Sequence, residues 1–90
     1  DKIRLQNSIL CLLAQLKGAG FPLINKGNST KSKSACEIVS MSFSPDRKTP
    51  IYHPNYIYDR IWTPKKDSDE VKIHLKIGEE NKTDIRKMYK

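Results

Sequence analysis

Residues 71–77 read Val-Lys-Ile-His-Leu-Lys-Ile, and no other stretch constrains the fold of the chain as strongly. Val71, Ile73, Leu75 and Ile77 alternate strictly with Lys72, His74 and Lys76. A period of two predicts a half-buried β-strand with one apolar and one basic face. A one-residue slip would bury the two lysines and the histidine, so a single register is expected. The apolar row is expected to pack on Leu5, Ile9, Leu12 and Leu16. Gly78 predicts the end of the strand. Residues 79–90 read as a helix, with Ile85 and Met88 inward and Arg86, Lys87 and Lys90 outward.

The start of the chain has a different period. Ile3, Leu5, Ile9, Leu12, Leu13 and Leu16 recur every three or four residues over 2–17, which predicts an amphipathic helix. Arg4, Ser8, Cys11 and Gln15 form its opposite stripe. Gly18 and Gly20 stop it, and Pro22 prevents its resumption. Residues 24–35, rich in Asn, Ser, Gly and Lys, predict a mobile basic loop carrying Lys26, Lys31 and Lys33. Residues 36–43 read as a strand, with Val39, Met41 and Phe43 alternating with Ser40 and Ser42. Ser44-Pro45-Asp46-Arg47 predicts a turn. Residues 50–62 fit either a strand or a short helix capped by Asn55, and aromatic content tilts the reading toward strand. The expected fold is α+β: N-terminal helix, basic loop, antiparallel meander of about three strands and C-terminal helix, in a two-layer sandwich with both helices on one face.

Ninety residues allow one small domain, 1–90. The first residue is Asp, so a fragment or a processed product is expected. The longest apolar run, Ile9 to Ala14, is far short of the ~18 residues of a membrane span, and no membrane partner is expected. Cys11 and Cys36 are too few for a disulfide scaffold and read as free thiols of an intracellular protein, in cytoplasm or nucleus.

Charge bears most directly on function. Seventeen Lys and Arg against ten Asp and Glu leave a net charge of +7. Such an excess repels itself in a compact state and suits a polyanionic partner. If 56–62 is a strand beside 71–77, Tyr56, Tyr58, Arg60 and Trp62 share a face with Lys72, His74 and Lys76. Aromatic rings stack bases and cations neutralise phosphates, so that face would suit single-stranded nucleic acid. The lysines of the 24–35 loop would add a basic arm.

Other chemistry finds little footing. Cys11, Cys36, His53 and His74 could number four metal ligands, but none are spaced as a ligand pair, and His74 stands between two lysines; no metal and no cofactor is expected. His53, His74, Tyr58 and Arg60 could serve a ribonuclease as base, acid and phosphate clamp, but nothing in their spacing brings them to one phosphate.

Two stretches resemble known families. Ser44-Pro45-Asp46 followed by Ile51-Tyr52-His53-Pro54-Asn55 resembles a stretch of ubiquitin-conjugating enzymes. There the two pieces lie farther apart and a catalytic Cys follows the Asn; here no Cys follows position 36, which removes that chemistry. Tyr56-Ile57-Tyr58-Asp59-Arg60-Ile61-Trp62, then residues 71–78, then Ile85-Arg86-Lys87-Met88-Tyr89 resemble the C-terminal strands of small bacterial endoribonuclease toxins. That resemblance implies an Arg-bearing strand, an apolar strand and a tail with Arg and Tyr; the strand that opens that family's fold is missing from this sequence. Neither resemblance carries a family assignment.

The leading expectation is a non-enzymatic nucleic-acid-binding domain, RNA before DNA, within a nucleoprotein assembly. The alternative is a protein-interaction subunit docking through Leu5, Ile9, Leu12 and Leu16. A toxin-type endoribonuclease is third.

Overall fold

Three side chains set just ahead of apolar stretches decide the fold: Ser34, His53 and Ser68. Each accepts a hydrogen bond from a backbone N–H of the turn that follows, which is how a helix N-terminus is capped. The computed structural model describes residues 2–24 and 33–89, and no strand occurs among them. The expected α+β sandwich is therefore replaced by an all-helical bundle. The loop expected at 24–35 lies mostly outside the described residues, with Lys26 and Lys31.

Helix α1, Lys2–Gly18, forms where the Leu and Ile spacing predicts it. Its end is a Schellman turn. The Gly20 N–H donates to the Lys17 carbonyl at 3.0 Å and the Phe21 N–H to the Leu16 carbonyl at 3.1 Å. Gly20 has φ +103°, a conformation costly for any residue with a Cβ.

Helix α2, Ala35–Ser42, stands where a strand was expected. Ser34 and Glu37 form a reciprocal capping box, with Ser34 Oγ accepting from the Glu37 N–H at 3.2 Å. The Ala35 and Cys36 N–H groups donate to the carbonyls of Pro22 and Leu23 at 2.7 and 3.1 Å. All three leading N–H groups are thereby satisfied, and residues 22–23 are held beside residues 35–36. The hydroxyls of Ser40 and Ser42, expected to alternate with Val39, Met41 and Phe43 on a strand, bond back to the Glu37 and Ile38 carbonyls, each at 2.8 Å.

The predicted turn at 44–47 closes around Asp46, whose carboxylate accepts from the N–H groups of Thr49 and Lys48 at 2.9 Å and from Ser44 Oγ at 3.0 Å. Within 50–62, residues 54–62 are helical and 50–53 form a non-helical lead-in, against the tilt toward strand. His53 Nδ1 accepts from the Asn55 N–H at 3.1 Å, so His53 and not Asn55 is the cap. Helix α3, Pro54–Tyr56, runs into a π-helical turn, Ile57–Trp62, and a 3-10 turn, Thr63–Lys65. Pro64 offers no N–H to the Arg60 carbonyl and its ring crowds it, which suits the wider turn. The Thr63 N–H bonds the Tyr58 carbonyl five residues back. Ile57 and Ile61, one turn apart, are both buried.

Helix α4, Asp69–Glu80, replaces the strand expected at 71–77. Ser68 Oγ accepts from the Val71 N–H at 3.3 Å, and Asp69 and Glu70 oppose the positive end of the helix dipole. The expected apolar row is divided. Val71 is buried, Leu75 and Ile77 are half-buried, and Ile73 is 60% exposed. In a helix, positions 71, 74, 75 and 78 share a face, and this is the face α1 covers. Helix α5, Lys82–Met88, realises the predicted C-terminal helix, with Ile85 half-buried; Met88, expected inward, is exposed.

Helices α1 and α4 run in the same direction, since Cys11 meets Glu70 and Gln15 meets His74. Of the stripe read as polar, Cys11 and Gln15 face α4, while Arg4 and Ser8 are exposed. Ile9, Leu10, Leu13 and Leu16 fill the centre with Val39, Ile57, Trp62 and Val71. No helix among the described residues is long and apolar enough to cross a membrane.

Candidate functional site

The Schellman turn that ends α1 delivers Phe21 beside α5. Arg86 reaches across it, with its guanidinium carbon 5.5 Å from the Phe21 ring centroid. One Nη of Arg86 donates to the Ala19 carbonyl at 3.2 Å. The guanidinium is thus held in place by a ring face and a helix-end carbonyl, with further N–H donors left over from its five. Lys82 and Arg86 lie one turn apart on α5, as do Thr83 and Lys87. With Phe21 these four line a groove of about 410 Å³, and no carboxylate is among its walls. A concave site with three cations, a hydroxyl and an aromatic floor can hold a phosphate or another compact anion.

A second, larger groove of about 730 Å³ is walled by Lys33, Arg47, Met41, Met88 and Tyr89, among others. Glu37 is also in its wall, so its field is mixed. The α5 groove is the more uniformly cationic of the two.

The residues expected to form a basic aromatic sheet face do not share one surface, because the strands that would align them are helices. Trp62 is 3% exposed, with Lys17 Nζ 5.6 Å from its ring centroid. Tyr58 is half-buried in the core, and Tyr56 stacks on Tyr52 with centroids 5.1 Å apart. Arg60 and Lys33 are exposed. Lys72 and Lys76 are exposed one turn apart on α4, and His74 is half-buried toward α1. Of the residues expected to dock a protein, Ile9 and Leu16 are fully buried and Leu5 and Leu12 half-buried.

The strands that the toxin resemblance implies are absent from the described residues. His53 is engaged as a cap and His74 with Gln15. The four residues weighed as metal ligands separate. Cys36 is buried in the core and His53 caps α3, while Cys11 and His74 face each other across α1 and α4. Burial, helped by the Glu37 charge, pushes the Cys36 thiol up to about 12. Burial, then the hydrogen bond to Glu70 and its charge, pushes Cys11 up to about 11. Neither is a thiolate at neutral pH, which argues against a cysteine nucleophile.

Sequence reasoning had marked Arg86 and Lys87 as outward cations but passed over Phe21 and Lys82. The available signal was Gly18-Ala19-Gly20-Phe21, a helix stop followed by an aromatic residue.

Comparison with protein-family models, with curated proteins and with solved structures finds no match to this chain.

Proposed function

We propose that the chain is a non-enzymatic helical domain that binds nucleic acid through its phosphates, with the α5 groove as the principal contact. The observation that carries this reading is the set Lys82, Arg86 and Lys87 around Phe21, in a groove without a carboxylate. The net charge of +7 supplies the long-range attraction. Arg86, fixed by Phe21 and Ala19, can offer a phosphate oxygen a donor already in place, while Lys82 and Lys87 supply mobile charge. Such contacts grip the backbone and carry no base specificity.

Binding of single-stranded RNA across a salt series tests the reading. Each neutralised phosphate contributes about −0.7 to the slope of log affinity against log salt. Three groove cations therefore predict a slope near −2 or steeper. Binding that ignores salt, or is absent at low salt, contradicts the proposal.

A further inference from the structure

The geometry points to a site for a zinc-class divalent cation between α1 and α4, formed by Cys11, Glu70 and His74. Cys11 Sγ, a carboxylate oxygen of Glu70 and an imidazole nitrogen of His74 all lie within 4.8 Å of one another. Bonds of about 2.0–2.3 Å at tetrahedral angles place ligand atoms roughly 3.5 Å apart, so small side-chain rotations close the set. Cys11 Sγ and Glu70 Oε1 are already 3.2 Å apart.

Three features favour this arrangement. Glu70 and His74 are four residues apart on α4, a spacing that puts both on one helix face. The close seating of α1 on α4 through Gly18 and Gly78 lets the short Cys11 side chain reach that face. The two lysines that would repel a cation in a strand do not flank His74 in a helix. Positions two residues away lie about 200° around the axis, so Lys72 and Lys76 project from the other side.

Thiolate, imidazole and carboxylate together suit Zn²⁺ better than Mg²⁺ or Ca²⁺, which take oxygen ligands alone. Cys11 is half-buried and Glu70 exposed, so the cation can enter from solvent and keep water in its fourth position. On binding, the Cys11 proton is released to solvent and the sulfur bonds the metal. The cation would then tie the first helix to the fourth across 59 residues of chain.

The test uses the full 90-residue chain, reduced and chelator-treated, with Zn²⁺ and Co²⁺ as probes. Zn²⁺ should slow alkylation of Cys11, located by peptide mass, at least tenfold. The protection should vanish in His74→Ala and fall in Glu70→Gln, with circular dichroism confirming that both variants fold. Co²⁺ added to the wild-type chain should produce a sulfur-to-cobalt charge-transfer band that saturates at one equivalent. That band decides the matter if a variant fails to fold. Unchanged Cys11 alkylation with Zn²⁺, protection undiminished in a folded His74→Ala, or no cobalt band overturns the proposal.

Discussion

Gly18 of α1 and Gly78 of α4 seat the two longest helices directly on each other's backbone. A Cβ on Gly18 would strike the Leu75 carbonyl, and one on Gly78 would strike the Gln15 carbonyl. The obstacles are main chain, not the tips of flexible side chains, so the helices themselves would have to part. In an ordinary helix, Gly→Ala gains up to about 1 kcal/mol in propensity. Here overpacking should outweigh that gain, and Gly78→Ala should lose about 1–3 kcal/mol in urea unfolding. A stabilised Gly78→Ala would mean that the helices do not meet there.

Val71 and Ile73 separate helix from strand. On a strand both would sit on the buried face and truncation of either would be costly. On α4, Val71 is buried and Ile73 projects into solvent. Val71→Ala should cost about 2 kcal/mol, whereas Ile73→Ala should stay within roughly 0.5 kcal/mol of wild type. Comparable losses at the two positions would restore the strand.

Ser34→Ala and Ser68→Ala should each cost about 1 kcal/mol through loss of a cap. Ser34→Ala should cost more of the two, because its hydroxyl is buried and belongs to a reciprocal pair with Glu37. Chemical unfolding monitored by helical ellipticity checks both, and a silent Ser34→Ala would argue against α2.

These caps also explain what could be read in the sequence. Helix α1 was legible because its Leu and Ile spacing admits one period only. Residues 71–77 admitted two, since Val71, Leu75 and Gly78 also fall on one helical face. The deciding cues lay upstream, in Ser68-Asp69-Glu70 and in Ser34 with Glu37 three residues on, and were shorter than the alternation they overrode. The close approaches of Gly18 to Leu75 and of Gly78 to Gln15 are tertiary and have no local signature. The basic character of α5 was visible in Arg86 and Lys87, but Phe21 joins them only because the Schellman turn at Gly20 aims it there. Glu70 could be paired with His74 only once α4 was known to be a helix.

The thiols give the chain an alkaline limit. Unfolded cysteines ionise near 9.0, whereas folded Cys11 and Cys36 are held up to about 11 and about 12. A folded pKa above the unfolded one stabilises while the group is protonated. These contributions are intact below about pH 9 and are lost as pH rises through 11 to 12. The pH profile of Cys11 alkylation should have its midpoint near 11. Glu70→Gln should lower that midpoint by removing the neighbouring charge, and an unmoved midpoint would contradict the Cys11–Glu70 contact.

The most direct test of the central claim compares RNA affinity in two charge-matched variants, Lys82→Glu/Lys87→Glu and Lys72→Glu/Lys76→Glu. Each pair of changes removes four charges and takes the chain from +7 to +3, so long-range attraction falls equally. The first pair alters the α5 groove, and the second alters the exposed side of α4. Measured on single-stranded RNA over a salt series, the α5 variant should bind at least tenfold more weakly than the α4 variant, with a salt slope shallower by about 1.4 than wild type. Equal losses in the two variants, or a greater loss in the α4 variant, would contradict a phosphate-binding groove at Phe21 and α5.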